Sequence, residues 1–292
     1  MNPAVTEMLA RYDVQDSNDA GNALKEIIQE VALLGLHRAD FFEKAAFYGG
    51  TALRVLHSLP RYSEDLDFTL FRPDAEFSLV PYFSAVKKEL ESYGFQTTVE
   101  RVDKKAKTDV ESAFIKAQTK IHLLKIESFG RFESKTQVGA KLKIKFEVDV
   151  NPATDFEFEA RYLQAPIGFP VISLKKPDLF AGKLHALLYR RWKTRVKGRD
   201  FYDYAWYLKN RIPVRLSYLR EKALQSGHAS PGELDDLAQL KALIRKRIAT
   251  VDFTQAKNDV LPFIKDPREI AAWGPDFFLQ ITDRLEVAPP GS

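Results

Sequence analysis

The sequence predicts an α+β fold, a mixed sheet flanked by helices, followed by an all-α C-terminal lobe. Three observations predict it. Segments in which polar and apolar residues alternate are confined to the first part of the chain. Segments of helical period surround them and then fill everything beyond Pro177. Turn signals such as Gly49-Gly50, Pro60 and Asn151-Pro152 fall between the periodic stretches. The expected division is 1–175, a lobe of strands with N-terminal helices, and 176–292, a helical lobe.

Taken in order, helical spacing predicts a helix over 20–34 and a second over 39–46, interrupted by Gly49 and Gly50. Those glycines permit a tight turn, and a short helix begins with Thr51 near its amino end. Pro60 stops it. Residues 65–70, Asp-Leu-Asp-Phe-Thr-Leu, read as a half-buried strand with Asp65, Asp67 and Thr69 on one face. A helix follows over 80–92, with strands over 95–102 and 114–127. The segments 141–150 and 156–162 read as a hairpin across Asn151-Pro152. Helices are expected over 177–191, 198–209, 231–248 and 276–284.

The chain has 292 residues, 45% of them hydrophobic and 29% charged, which suits a folded chain with a substantial core. No run approaches the roughly 18 consecutive apolar residues of a membrane helix, and the first residues lack a signal-peptide pattern. The reading is therefore a cytoplasmic protein. Without cysteine there are no disulfides and no thiolate metal sites, so a bound metal would take carboxylates, histidine or phosphate oxygens, a set that favours Mg²⁺ or Mn²⁺. A net charge of +4 leans only slightly towards a polyanionic partner.

The chemistry concentrates in Gly49-Gly50-Thr51 followed by Arg61-Tyr-Ser63-Glu-Asp65-Leu-Asp67. Backbone N–H groups at a Gly-Thr turn opening a helix can hold terminal phosphates. Two carboxylates one pleat apart can hold Mg²⁺ against those phosphates, with Arg61 and Ser63 as further phosphate donors. On the later strand, Glu147 and Asp149 point the same way, and either could complete the metal site or act as general base. In the helical part, Lys183 lies in an apolar stripe, where it either snorkels outward or meets an anion in a cleft. Asp200 and Asp203 occupy successive positions of one face, where they can orient a lysine or the acceptor hydroxyl, or, for Asp200, cap the helix. His57 and His185 have no partner at metal-ligand spacing and read as ordinary helix residues. Tyr189, Trp192, Phe201, Tyr202, Tyr204, Trp206 and Tyr207 interleave with Arg190, Arg191, Lys193, Arg195, Lys197 and Arg199. They read either as an RNA-facing surface or as core with a solvated basic loop.

The ordered set Gly-Gly-Thr, Arg-x-Ser-x-Asp-x-Asp, Lys-x-Glu-x-Asp-x-Asn, then Lys-Leu-x-Ala with Arg-Asp-x-x-Asp resembles the AbiEii/MenT nucleotidyltransferase toxins of bacterial toxin–antitoxin and phage-defence systems. The resemblance runs over about residues 20–208. It implies a polymerase β-like nucleotidyltransferase lobe, a helical lobe contributing Lys183 and Asp200 to a cleft, and NTP as substrate with Mg²⁺ (or Mn²⁺). It implies catalytic roles for Asp65, Asp67, Lys183 and Asp200, and nucleotide binding by Gly49, Gly50, Thr51, Arg61, Ser63 and Lys183. Metal ligation falls to Asp65, Asp67 and, chosen narrowly over Glu147, Asp149. Transfer to the 3′ end of tRNA, blocking translation, and a cognate antitoxin partner follow from the same resemblance. Nucleotidylation of a protein or small molecule, or a non-catalytic RNA- or antitoxin-binding module, are the other readings.

Overall fold

A computed structural model describes residues 2–101, 110–118, 141–191 and 196–289; the side chains of 100, 101, 110–118 and 141 are not described. The chain divides into two compact units. Unit 1 comprises Met1–Ser58, Tyr62–Pro152 and Glu159–Ser173, and unit 2 comprises Leu59–Arg61, Ala153–Phe158 and Leu174–Ser292. The main crossing thus falls at Ser173, but two short segments of the earlier sequence also belong to the helical unit.

Among the described residues, unit 1 is built on a mixed seven-stranded sheet. Its strands are β1 (Ala45–Tyr48), β2 (Leu66–Leu70), β3 (Gln96–Arg101), β4 (Val110–Gln118), β5 (Lys141–Asp149), β6 (Phe158–Leu163) and β7 (Phe169–Leu174), in spatial order β3-β4-β5-β2-β1-β7-β6. Antiparallel pairs join β1 to β2, β3 to β4 and β4 to β5, while β2 with β5 and β1 with β7 run parallel. Alternation along the central strands separates two faces. Phe47, Phe68 and Phe146 are buried on one, with Phe68 stacked on Phe47 at 5.1 Å and tilted against Phe146 at 4.9 Å. Asp67, Glu147 and Asp149 alternate with those buried residues and so lie on the other face.

Among the described residues, the helices of unit 1 are α1 (Pro3–Leu9), α2 (Ser17–His37), α3 (Gly49–His57) and α4 (Val80–Ser92). The Asp16 carboxylate caps α2 by accepting from the Asp19 N–H. Gly35 lets α4 approach closely, since a Cβ there would lie 2.9 Å from Val86 Cα. The helix expected over 39–46 is instead a single 3₁₀ turn, Phe41–Glu43, leading into β1. Pairing of Ala45 to Tyr48 with β2 outweighs the local helical preference of alanine. The hairpin expected across Asn151-Pro152 is absent. β5 sits between β4 and β2, and β6 lies at the far edge beside β7. Part of the strand expected over 114–127 lies outside the described residues.

Unit 2 is helical: α5 (Lys176–Tyr189), α6 (Gly198–Lys209), α7 (Leu216–Gln225), α8 (Leu237–Ile248), α9 (Phe253–Val260) and α10 (Pro275–Thr282). Its core is aromatic. Phe180 stacks on Tyr207 at 4.2 Å, and Phe278 packs against Phe201 and Phe253 at 5.2 and 5.0 Å. Gly198 opens α6 where α9 passes, and a Cβ there would meet Ala256 O at 1.8 Å. The helix expected from residue 231 begins only at Leu237, where Asp236 caps it, because Gly232 in the left-handed region turns the chain first. Among the described residues, no helix is long and apolar enough to cross a membrane.

Candidate active site

In unit 1, β1 runs into α3 through Gly49, whose φ of +81° is a conformation favouring glycine. Tyr48 ends the strand extended and its side chain does not cap α3, whose first turn carries backbone N–H groups with no partner inside the helix. The Thr51 side chain is fully buried, and its hydroxyl donates to the backbone carbonyl of Asp65. Thr51 therefore ties the start of α3 to the segment leading into β2, a positioning contact rather than an open phosphate donor. Ser63 is partly exposed, and its carbonyl accepts from Gln29 Nε2 at 3.3 Å.

Asp67 is the register partner of Tyr48 on one side and of Glu147 on the other. Its carboxylate lies directly over Gly49, where a Cβ would fall 2.6 Å from Oδ2. The glycine is thus required twice, by its backbone angle and by the carboxylate above it. Asp149 is paired with Thr69, a full pleat repeat further along, and its Oδ1 accepts from Asn151 N at 3.2 Å. The nearer strand neighbour of Asp67 is accordingly Glu147 rather than Asp149, while Glu147 also pairs with Lys145 at 2.6 Å. Asp65 precedes β2 by one residue.

Among the described residues, no three His, Cys, Asp or Glu side chains converge closely enough to enclose an ion unaided. The side chains that the strand register brings side by side, Asp67 and Glu147, are both carboxylates and lie near the start of α3. That set suits a hard divalent cation sharing its coordination with phosphate oxygens.

In unit 2, five side chains form an alternating ionic chain. Arg61 donates from Nε and Nη2 to the two oxygens of Asp203, both at 2.6 Å. Asp203 Oδ2 lies 2.8 Å from Lys183 Nζ, which donates to Asp200 Oδ1 at 3.0 Å. Arg190 Nη1 donates to Asp200 Oδ2 at 2.8 Å. Asp200 and Asp203 therefore both hold Lys183, as their shared helix face predicts, with three cations to two carboxylates. Burial opposes the charge on Lys183, but Asp203 and then Asp200 hold its ammonium above the ordinary lysine value. Burial would raise Asp203, but Arg61 and Lys183 keep its carboxyl below the usual range. Arg61, expected as a phosphate donor, is only 2% exposed and commits its guanidinium to Asp203. This partner lies 142 residues away and is visible in the sequence only as the second aspartate of Arg-Asp-x-x-Asp.

A family model described as "Nucleotidyl transferase AbiEii toxin, Type IV TA system" matches residues 31–280. The chain belongs to the AbiEii family. AbiEii membership makes it a nucleotidyltransferase toxin, with an NTP as substrate and an antitoxin as partner. No curated protein matches it. Among solved structures, JHP933 from Helicobacter pylori is similar in fold, with a TM-score of 0.52, 18% identity and 90% of each chain covered. A provisionally named nucleotidyltransferase from H. pylori matches at a TM-score of 0.47 and 18% identity, over 88% of this chain and 90% of that one.

The basic and aromatic stretch of this AbiEii chain divides between two roles. Phe201, Tyr202, Tyr204 and Tyr207 are buried and belong to the core. Trp192, Lys193 and Arg195 lie outside the described residues. Trp206 lines a cavity of about 320 Å³ together with Trp273, Phe277 and Pro60, and Lys209 and Arg284 border it.

Proposed function

We propose that this AbiEii chain transfers a nucleotidyl group from an NTP to an RNA acceptor, the 3′ end of tRNA foremost, and so blocks translation. The observation that carries the reading is the Asp67 carboxylate seated on Gly49 at the start of α3, with Glu147 as its strand partner. N–H groups at Gly50 and Thr51 and the Ser63 hydroxyl receive the terminal phosphates. Asp65 and Asp67, with Glu147 or Asp149 as a further carboxylate, would hold Mg²⁺ or Mn²⁺ together with the phosphate oxygens. The chemistry such an ion would supply is charge screening of the triphosphate and polarisation of the α-phosphate.

The acceptor hydroxyl attacks the α-phosphorus, its proton passing to a carboxylate oxygen of this set, and pyrophosphate leaves. Lys183, kept protonated by Asp203 and Asp200, is assigned the counter-charge to the triphosphate, and Asp200 its positioning. Arg61 acts through Asp203 on the same lysine. The cavity at Trp206 and Trp273, bordered by Lys209 and Arg284, is where an RNA base can stack with a phosphate nearby.

The test is incubation of the protein with labelled NTPs and total cellular RNA, cellular protein or small-molecule hydroxyl acceptors, side by side. Label entering RNA alone supports the reading. Label entering protein or a small molecule replaces the acceptor, and label entering none of them overturns catalysis in favour of a binding role.

A further inference from the structure

His185 read from sequence as a histidine without a partner, but in unit 2 it has one. The Nε2 of His185, on α5, lies 3.3 Å from the Nδ1 of His228, 43 residues later. Ser226 Oγ is 3.0 Å from the first nitrogen and 2.8 Å from the second. The local chain explains the meeting. Ser226 ends α7, Gly227 takes φ +66°, and the His228 N–H bonds back to Ala223 O at 2.9 Å, which turns the imidazole towards α5. Tyr189 stacks on His228 with ring centroids 5.0 Å apart and planes 4° from parallel, fixing its orientation.

Counting protons shows what this triangle can hold. The Ser226 hydroxyl has one proton, and Lys222 O at 2.8 Å lies in place to take it, the usual back-bond at a helix end. The serine oxygen then faces both imidazoles with lone pairs. With each ring protonated on its other nitrogen, three lone-pair donors converge on one point. Zinc–nitrogen bonds of about 2.0–2.1 Å at a tetrahedral angle put two ligand nitrogens roughly 3.3 Å apart. The observed separation is that of ligands sharing an ion. Lys222 lies near enough to His185 to oppose positive charge there. His228 and Ser226 are exposed, which leaves the remaining coordination positions open to water.

We propose that His185, His228 and Ser226 form a binding site for a divalent transition-metal ion of the zinc type. It is separate from the carboxylate corner of unit 1 in both residues and ligand softness, since imidazoles select zinc, cobalt or nickel while carboxylates suit magnesium. A bound ion clamps the end of α5, the helix that carries Lys183, to the end of α7. The ammonium of Lys222 is the charge that opposes the ion.

The experiment is titration of the full-length protein with Co²⁺, read by its visible absorption and by calorimetry, in excess Mg²⁺ to occupy any hard-ion site. One equivalent of Co²⁺, displaced by Zn²⁺, is expected, and a rise in Tm accompanies saturation. His185→Ala and His228→Ala each weaken binding at least about tenfold, the loss expected for removing one ligand of a small set. Lys222→Gln tightens binding, and Asp67→Ala leaves it unchanged. His228 is exposed, so its variant folds, and an unchanged far-UV spectrum checks this. Wild-type affinity in both histidine variants, or loss of the equivalent on Asp67→Ala, overturns the proposal.

Discussion

Replacing Gly49 with alanine tests the geometry of the corner with a single methyl group. The backbone there has φ +81°, where an L-residue costs about 1–2 kcal/mol relative to glycine. The added Cβ would also lie 2.6 Å from Asp67 Oδ2, inside contact distance, so the carboxylate must move. Catalytic groups displaced by about 1 Å lose on the order of 10²-fold in rate. Gly49→Ala is therefore expected to lower nucleotide incorporation by about 10²-fold while costing only about 1–2 kcal/mol of stability. The assay is incorporation of label from an α-labelled NTP at saturating acceptor, paired with denaturant unfolding of the same preparation. Gly21→Ala is the control, because nothing lies within 4 Å of a Cβ at this helical position. It is expected to keep full activity and gain about 0.5–1 kcal/mol. Full activity in a folded Gly49→Ala protein would refute the placement of Asp67.

Further outcomes follow from the same structure. Glu147→Ala should reduce incorporation more than Asp149→Ala, because Glu147 is the strand partner of Asp67; steady-state rates of the two variants check this, and the reverse order would reinstate Asp149. Lys183→Ala removes one member of a buried ionic chain and should cost about 3–5 kcal/mol as well as activity, whereas Arg190→Ala, at the chain's more exposed end, should cost far less in the same unfolding assay. The depressed carboxyl of Asp203 contributes stability that is present above its unfolded value of 3.8 and lost as pH falls through its folded value. The Tm gap between the unmodified protein and Asp203→Asn should therefore be wide at pH 7 and narrow below pH 3.8. Gly198→Ala should destabilise unit 2, because its Cβ would overlap Ala256 O, and thermal unfolding reads this directly.

The parts of this account legible in the sequence are those fixed by local period and punctuation. Asp-Leu-Asp-Phe-Thr-Leu announces β2 because Leu66, Phe68 and Leu70 bury one face, and Gly198 to Lys209 announces α6. The parts that escaped it depend on partners distant in the chain. Ala45 to Tyr48 is as good a helix as a strand until β2 and β7 lie on either side of it. β5 resembles half of a hairpin until β4 and β2 claim both its edges. β7, α7 and α9 are short, and their periods do not stand out from the loops around them. At the site, the aspartates and the Gly-Gly-Thr turn are visible because their chemistry demands those residue types at close spacing. The commitment of Arg61 to Asp203 and the meeting of His185 with His228 are set by tertiary packing, which no spacing rule encodes.

The Asp65 and Asp67 corner is proposed to perform the nucleotidyl transfer. This is tested most directly by supplying each α-³²P-labelled NTP with purified tRNA and Mg²⁺ to the unmodified protein, Asp65→Ala and Asp67→Ala, each shown to be folded. Label on tRNA with the unmodified protein alone is the predicted result. Equal labelling by the aspartate variants would contradict the claim.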